Sequence, residues 1–144
     1  MFESGRPLIV VPYIQELQLD RMICCWDGSR AATRAIHDAL PLLVKAGTVD
    51  LLIALNEKTS GRENEIRGVE IARHLARHGV TLQIQTIEAA DIDVTNAILS
   101  YAANRSAQLI VMGGYGHSRL RQIVLGGVTR DMLKSMTVPV FMSH

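Results

Sequence analysis

Strand-like and helix-like segments alternate along most of this chain, and that alternation limits the folds the sequence can adopt more than any other feature. Short apolar runs that predict buried strands are separated by longer segments with apolar residues at helical spacing. Parallel strands need crossover connections of this kind, usually helices. The pattern therefore predicts an open, mostly parallel, five-stranded α/β sheet of the doubly wound type, with helices on both faces.

The predicted elements run from residue 21 to residue 142. The strands are Arg21–Trp26, Val49–Leu55, Val80–Ile87, Gln108–Met112 and Val138–Met142. The helices are 30–46, Glu63–His78, Asp91–Asn104 and Val128–Ser135. In the first helix, Ser29 is the expected N-cap, Pro41 a kink and Gly47 the C-terminal stop. The strand Val80–Ile87 alternates apolar and polar residues, so we expect it at an edge of the sheet.

The first residues do not fit the alternation. Arg6–Tyr13 predicts a short extra strand with no helix beside it, and it resembles Val138–Ser143 in placing a proline at a β-branched run. We interpret residues 1–19 as a strand and linker, the tail of a similar preceding domain, and residues 20–144 as the domain itself. The alternative is an ordinary N-terminal edge strand.

Composition excludes several classes of function. The chain has 144 residues and a net charge of +1, which argues against a broad electrostatic surface for nucleic acid. Six aromatic residues are too few for a base-stacking platform, and no apolar run is long enough to span a membrane. The adjacent Cys24 and Cys25 would form a strained disulfide, so we expect reduced thiols and a cytoplasmic protein.

Two strand ends carry unusual turns. Ligands of open α/β sheets bind outside the carboxyl ends of the strands, where the strand order reverses. One turn is Trp26-Asp27-Gly28, and the other begins the glycine-rich segment 113–127, which holds five of the 11 glycines. Glycine lets a backbone come close to phosphate oxygens, and the following helix start favours an anion.

The glycine spacing resembles that of the universal stress protein family. ATP-binding members carry G-x-x-G, nine residues and then G followed by Ser or Thr, and this chain matches at Gly113, Gly116 and Gly126. The first strand ends in Asp-Gly-Ser at Asp27, as is typical of the family. The likeness covers about residues 20–144 and implies a stress-response domain that binds ATP, with or without Mg²⁺.

The resemblance also implies roles for individual residues. Asp27 would lie near the ribose or metal, Gly113 near the ribose, and the backbone around Ala54 would hold the adenine. The phosphates would lie against Gly116, Gly126, Val128 and Thr129. The full predicted binding set is Trp26, Asp27, Ala54, Met112, Gly113, Gly116, His117, Arg119, Gly126, Gly127, Val128 and Thr129.

One residue departs from the family pattern. Gly127 stands where ATP-binding members have Ser or Thr, so a hydroxyl contact is missing while the backbone N–H remains. A hydrogen bond to a charged group contributes about 1.5–3 kcal/mol, a factor of about 10 to 150 in affinity. The Thr129 hydroxyl, which caps the helix or donates to a phosphate, would replace that contact only in part.

Several residues have a second interpretation. Asp27 can hydrogen-bond its own turn. Trp26 either forms a wall of the nucleotide pocket or packs under the first helix. Arg119 and Arg121 are phosphate clamps or a solvated basic turn. His74 and His78 have a spacing that suits a metal, but the sequence places no carboxylate or third ligand, so a surface helix is the better explanation.

The partners and the activity follow from the same reasoning. The family implies a homodimer through the edge strand Val138–Met142, and we hypothesise that Pro7–Pro12 pairs with this strand, within or between chains. Alternatives to nucleotide binding are an interaction module without ATP and a hydrolase of similar fold. His117 and Ser118 lack a placed base, and the D-G-S-R turn is not a pyrophosphate loop, so we predict no catalytic residue and no metal site.

Overall fold

The computed structural model describes residues 6–13, 16–55, 62–88, 94–114 and 127–144. Within these ranges the strands are β1 (Leu8–Val10), β2 (Arg21–Trp26), β3 (Thr48–Leu55), β4 (Leu82–Glu88), β5 (Leu109–Gly113) and β6 (Val140–Ser143). The helices are α1 (Arg30–Asp38), α2 (Leu40–Leu43), α3 (Arg62–Arg77), α4 (Val94–Asn104) and α5 (Gly127–Ser135). No helix of the described residues is long and apolar enough to cross a membrane.

The strands form one sheet in the order β1-β6-β5-β2-β3-β4. The five strands β2 to β6 run parallel, and β1 is antiparallel to β6. The predicted doubly wound sheet with one extra N-terminal strand is therefore confirmed. From β2 the chain moves to β3 on one side and later returns to β5 on the other side. The strand order thus reverses at the β2–β5 pair.

Local signals place the first helix start correctly but not its end. Ser29 accepts a hydrogen bond from the backbone N–H of Ala32 at 3.0 Å, which confirms the N-cap. Pro41 lies in the first turn of α2, and the chain breaks into two helices at Ala39. Gly47 as a helix stop is wrong, because α2 ends at Leu43. Gly47 instead leaves room for Asp20, with which any larger side chain would collide.

Two further predictions are confirmed, one for the end of α3 and one for an edge of the sheet. Gly79 follows α3 with a φ of +84°, a left-handed conformation that glycine adopts without strain. β4 forms one edge of the sheet, and its residues alternate between half-buried and exposed over most of its length. The edge position explains the alternating sequence, because one face of this strand meets solvent.

Each face of the sheet has its own apolar core. Met22, Cys24 and Trp26 pack with α1, α2 and α3, whereas Ile23 packs with α4 and α5 on the other face. Cys25 packs against this second cluster, so the two thiols point to opposite faces and are free. Burial raises the pKa of the Cys24 thiol, and burial followed by the Asp27 charge raises the pKa of Cys25 to about 12. Both cysteines are therefore core residues with little thiolate at neutral pH.

The strand Val138–Met142, which the sequence predicts at the second edge of the sheet, is paired with a further strand on its outer side. Leu8, Ile9 and Val10 pair antiparallel with Met142, Phe141 and Val140 of the same chain. The hypothesis that residues 7–12 pair with residues 138–142 is thus confirmed within one chain. The edge position predicted for Val138–Met142 is wrong, because β6 lies between β5 and β1. The homodimer stays a prediction. The outer edge on this side is β1.

A buried carboxylate ties α4 to β3. Asp50 is 6% exposed. It accepts hydrogen bonds from the Tyr101 hydroxyl at 3.0 Å and from Arg105 Nε at 2.9 Å. Burial, followed by the hydrogen bond to Asp50, raises the pKa of Tyr101 to about 12. A buried charge must be paired, so this contact fixes the position of α4 on the sheet.

We expect Tyr101→Phe to lower the free energy of unfolding by about 0.5–1.5 kcal/mol at pH 7, because Asp50 loses one donor. The folded pKa of Tyr101 exceeds its unfolded value of 10.0. The stabilisation that Tyr101 provides should therefore be complete below pH 10 and decline as the pH rises towards 12. Urea unfolding of both proteins from pH 7 to pH 11 measures the difference. The control Tyr13→Phe, at a fully exposed tyrosine, should change nothing. Equal effects of the two variants would contradict this account.

Candidate functional site

The strand ends at the β2–β5 pair form the site that the topology favours. Cys24 of β2 lies opposite Val111 of β5, so the strands end side by side at Trp26 and Gly113. α1 begins four residues after β2 ends. α5 connects the parallel strands β5 and β6, so it must also begin at this edge of the sheet. Two helix N-termini therefore face the same edge, where unpaired N–H groups favour an anion.

The turn between β2 and α1 is held by its own side chains. Asp27 Oδ1 accepts a hydrogen bond from the Ser29 N–H at 2.9 Å, and Gly28 has a φ of +76°. The interpretation of Asp27 as a turn residue is thus confirmed, although its side chain remains exposed at the edge. The turn presents a carboxylate to solvent beside the start of α1.

The end of β5 is pressed against the start of α1. A Cβ at Gly113 would lie 2.7 Å from the Ala31 carbonyl carbon and from the Ala32 nitrogen. These are backbone atoms that cannot give way easily, so this position requires glycine. Gly113 and the turn at Asp27 are therefore brought together through α1, as the sequence predicts.

β6 holds the next residue of the glycine-rich segment. The Gly114 N–H donates to the Ser143 carbonyl oxygen at 2.7 Å. The Ser143 hydroxyl donates to Asp38 Oδ2 on α1. Sequence reasoning missed this contact, because residues 38 and 143 carry no shared motif and only the fold brings them together. The two hydrogen bonds of Ser143 together fix the point where the glycine-rich segment leaves the sheet.

The start of α5 is open at its first two residues and closed at the third. Gly127 and Val128 are exposed, whereas Thr129 is 3% exposed. A Cβ at Gly127 would meet no atom of the described residues within 4 Å. The predicted helix start is confirmed, and the space that a serine or threonine would occupy is present at Gly127.

Three other predicted residues lie below the edge. Trp26 is buried and packs into the core beneath α1 and α3, which favours packing between its two interpretations. Met112 is buried on the opposite face, so its side chain belongs to the core. Ala54 is half-buried opposite Ile87 of β4. Their contact with a nucleotide stays a prediction.

The rest of the predicted site lies outside the described residues. These residues are Gly116, His117, Arg119 and Gly126, and the further candidates Ser118 and Arg121 also lie there. Their roles at the phosphates, and the choice between clamp and solvated turn for the two arginines, stay predictions.

The predicted histidine pair is part of a row of three. The rings of His74 and His78 are 4.5 Å apart at their centroids, and His37 of α1 stacks on His74 at 6.4 Å. His78 Nδ1 lies 2.9 Å from the His74 carbonyl oxygen. Across the described ranges, no group of three or more His, Cys, Asp or Glu residues could hold a metal ion. The row is therefore a contact between α1 and α3.

Comparisons with known proteins agree on one family. The sequence model of the universal stress protein family matches residues 18–144. A curated universal stress protein of Synechocystis is 26% identical over 136 residues, which are 94% of this chain and 46% of that protein. The chain therefore spans about half the length of this curated relative.

Solved structures share the fold. A universal stress protein from Archaeoglobus fulgidus matches with a TM-score of 0.73 and 21% identity, over 99% of this chain and 52% of that chain. A universal stress protein in complex with cAMP matches with a TM-score of 0.65 and 18% identity, over 88% of this chain and 97% of that chain. The sheet and its helices are thus those of known universal stress proteins.

We expect Gly113→Ala to destabilise the protein by about 1–3 kcal/mol, because the new methyl group would overpack against the backbone of α1. The neighbouring Gly114→Ala is the matched control, since a Cβ there would have its nearest contact at an ordinary 3.5 Å. Urea unfolding of both variants measures the difference. Equal stability of the two variants would show that β5 and α1 are not packed as described.

Proposed function

We propose that this chain, which belongs to the universal stress protein family, is a stress-response domain that binds an adenine nucleotide where β2 and β5 end. The observation that carries the proposal is the packing of Gly113 against the first turn of α1. It makes one surface from the exposed Asp27 carboxylate, glycine backbone and the starts of two helices. Such a surface suits a ligand with hydroxyl groups at one end and phosphates at the other.

The nucleotide would lie across this edge of the sheet. Asp27 accepts from the ribose hydroxyls, Gly113 lets the sugar approach the backbone, and the backbone around Ala54 receives the adenine. The N–H groups at Gly127 and Val128 donate to the phosphates, because the first N–H groups of a helix lack partners within it. The related structure in complex with cAMP supports an adenine nucleotide as the ligand class.

The carboxylate at this edge is also a suitable ligand for Mg²⁺ that the nucleotide carries. Mg²⁺ is usually bound through one or two carboxylates together with substrate phosphates, and it keeps several waters. Asp27 offers one exposed carboxylate at this edge. A magnesium ion would therefore arrive with ATP, held mainly by the phosphates.

The empty space at Gly127 provides the sharpest test. We expect Gly127→Ser to bind Mg-ATP about 10 to 150 times more tightly than the natural chain, because the new hydroxyl donates to a charged phosphate. Gly127→Ala is the matched control, since it adds the same Cβ without a donor and should leave affinity nearly unchanged. Isothermal titration calorimetry of all three proteins gives the dissociation constants.

The same titrations can also contradict the proposal. If neither the natural chain nor Gly127→Ser binds millimolar Mg-ATP, nucleotide binding is rejected. The domain would then be an interaction module that keeps the fold without the ligand. If Gly127→Ala gains as much affinity as Gly127→Ser, helix propensity rather than a phosphate contact explains the gain.

We further propose that β1 is the last strand of a preceding domain of the same kind. It pairs antiparallel with β6, as two copies of a last strand would pair across a twofold axis. Its proline-flanked sequence resembles that of residues 138–143. The Synechocystis and Archaeoglobus fulgidus proteins reported above are about twice as long as this chain, which leaves room for such a domain.

Removal of residues 1–17 tests this assignment. The shortened chain keeps the whole segment that matches the family and exposes the β6 edge. We expect it to dimerise through that edge, whereas the full chain remains monomeric at the same concentration. Analytical ultracentrifugation measures both. A shortened chain that stays folded and monomeric at high concentration would contradict the assignment.

A further inference from the structure

Ser143, the last residue of β6, connects three elements at the point where the glycine-rich segment begins. Its backbone pairs with Gly113 of β5, and its carbonyl oxygen accepts a hydrogen bond from the Gly114 N–H at 2.7 Å. Its hydroxyl donates to Asp38 Oδ2 at the end of α1. Gly113 itself packs against the first turn of α1. The end of β5 is therefore held by α1 directly and by β6 through Ser143.

A serine is an unexpected residue at this position of β6. All four residues of the strand are buried, and Ser143 is 3% exposed. Phe141 packs into the core beneath α1, and Ser143 faces the same side, because residues two apart in a strand share a face. A buried hydroxyl costs free energy unless it is hydrogen-bonded, so burial alone favours an apolar residue here. The contact with Asp38 accounts for the hydroxyl.

The partner of this hydroxyl is unexpected as well. Asp38 is the last residue of α1, where the helix dipole disfavours a negative charge. Arg34 Nε lies 4.0 Å from Asp38 Oδ2, but the arginine side chain is largely exposed, and such surface ion pairs add little stability. Neither the helix nor this ion pair accounts for a carboxylate at the position, whereas the hydrogen bond from Ser143 does.

The N-terminal strand does not extend far enough to hold Ser143. The pairing of β1 with β6 ends at Leu8 and Met142. The residue before Leu8 is Pro7, which has no backbone N–H to donate to Ser143. The bond to Asp38 is therefore the contact that adds to the pairing with β5 and ties the end of β6 to α1.

We propose that Ser143 is a positioning residue for the nucleotide site. Asp38 holds the hydroxyl of Ser143, and the carbonyl of the same residue fixes the N–H of Gly114, which directly follows β5 and is buried. The inference rests on the proposed function, in which the nucleotide binds along the segment that begins there. A segment that is loosely held must be ordered when the ligand binds, and that ordering weakens binding.

Hydrogen exchange measured by nuclear magnetic resonance tests the tie without any ligand. We expect Ser143→Ala to speed exchange of the Gly114 amide at least about tenfold, because local opening no longer breaks the hydrogen bond to a carboxylate. The reference is the Ile110 amide of the same strand, which donates to the Pro139 carbonyl oxygen at 3.0 Å. Ser143→Thr keeps a hydroxyl and should keep the protection of Gly114.

Tyr101→Phe is the matched control for both readouts. It also removes a hydroxyl that donates to a carboxylate, but this carboxylate is Asp50 on β3. It should leave the ratio of the Gly114 and Ile110 exchange rates unchanged.

Isothermal titration calorimetry with Mg-ATP then tests the role at the site. We expect Ser143→Ala to bind roughly two- to tenfold more weakly than the natural chain. Ser143→Thr and Tyr101→Phe should bind as the natural chain does. A serine with a merely structural role would lower stability in urea and leave the affinity unchanged, which is the behaviour expected of Tyr101→Phe.

The two readouts separate failure of this inference from failure of the proposed function. Unchanged Gly114 exchange in Ser143→Ala, or unchanged affinity of that variant for Mg-ATP that the natural chain binds, would overturn the inference. If Gly114 exchange rises but neither the natural chain nor Gly127→Ser binds Mg-ATP, the proposed function is rejected. The role of Ser143 in nucleotide binding is then rejected with it, whereas its tie to Gly114 is supported.

Discussion

The contact between Gly113 and the first turn of α1 determines how the rest of the site can be arranged. Because the Cβ of any other residue would lie 2.7 Å from backbone atoms of α1, the end of β5 and the start of α1 form one rigid unit. Ser29 caps that turn, and Asp27 closes the bend before it. The carboxylate, the glycine and the helix start thus keep a fixed relation, which is the preorganisation that ligand binding rewards.

The parts of this arrangement that short-range chemistry controls could be predicted from sequence. Alternating apolar segments gave the parallel sheet, Ser29 the helix cap, and Gly79 the left-handed turn after α3. Predictions were wrong where the deciding contact is distant in sequence. Gly47 leaves room for Asp20 and does not end a helix. β6 is not an edge, because a strand about 130 residues earlier pairs with it.

Trp26 and Met112, near the ends of β2 and β5, lie on different faces of the sheet. Their side chains point into opposite cores. Neighbours in a strand face opposite layers, so a residue beside a glycine-rich turn can also be a core residue. The same alternation places the indole of Trp26 in the core with α1 and α3, where its buried N–H group has no hydrogen-bond partner among the described residues.

The pairing of β1 with β6 also affects how the sheet is completed during synthesis. Leu8 lies opposite Met142, so nearly the whole chain must be made before this ladder can form. Contacts between residues so far apart carry a large loop-closure entropy and form late in folding. Until the ladder forms, the backbone N–H and C=O groups of Leu8–Val10 lack the pairing that β6 provides. The pairing of β1 with β6 therefore also satisfies backbone groups that would otherwise be open to strands of other chains.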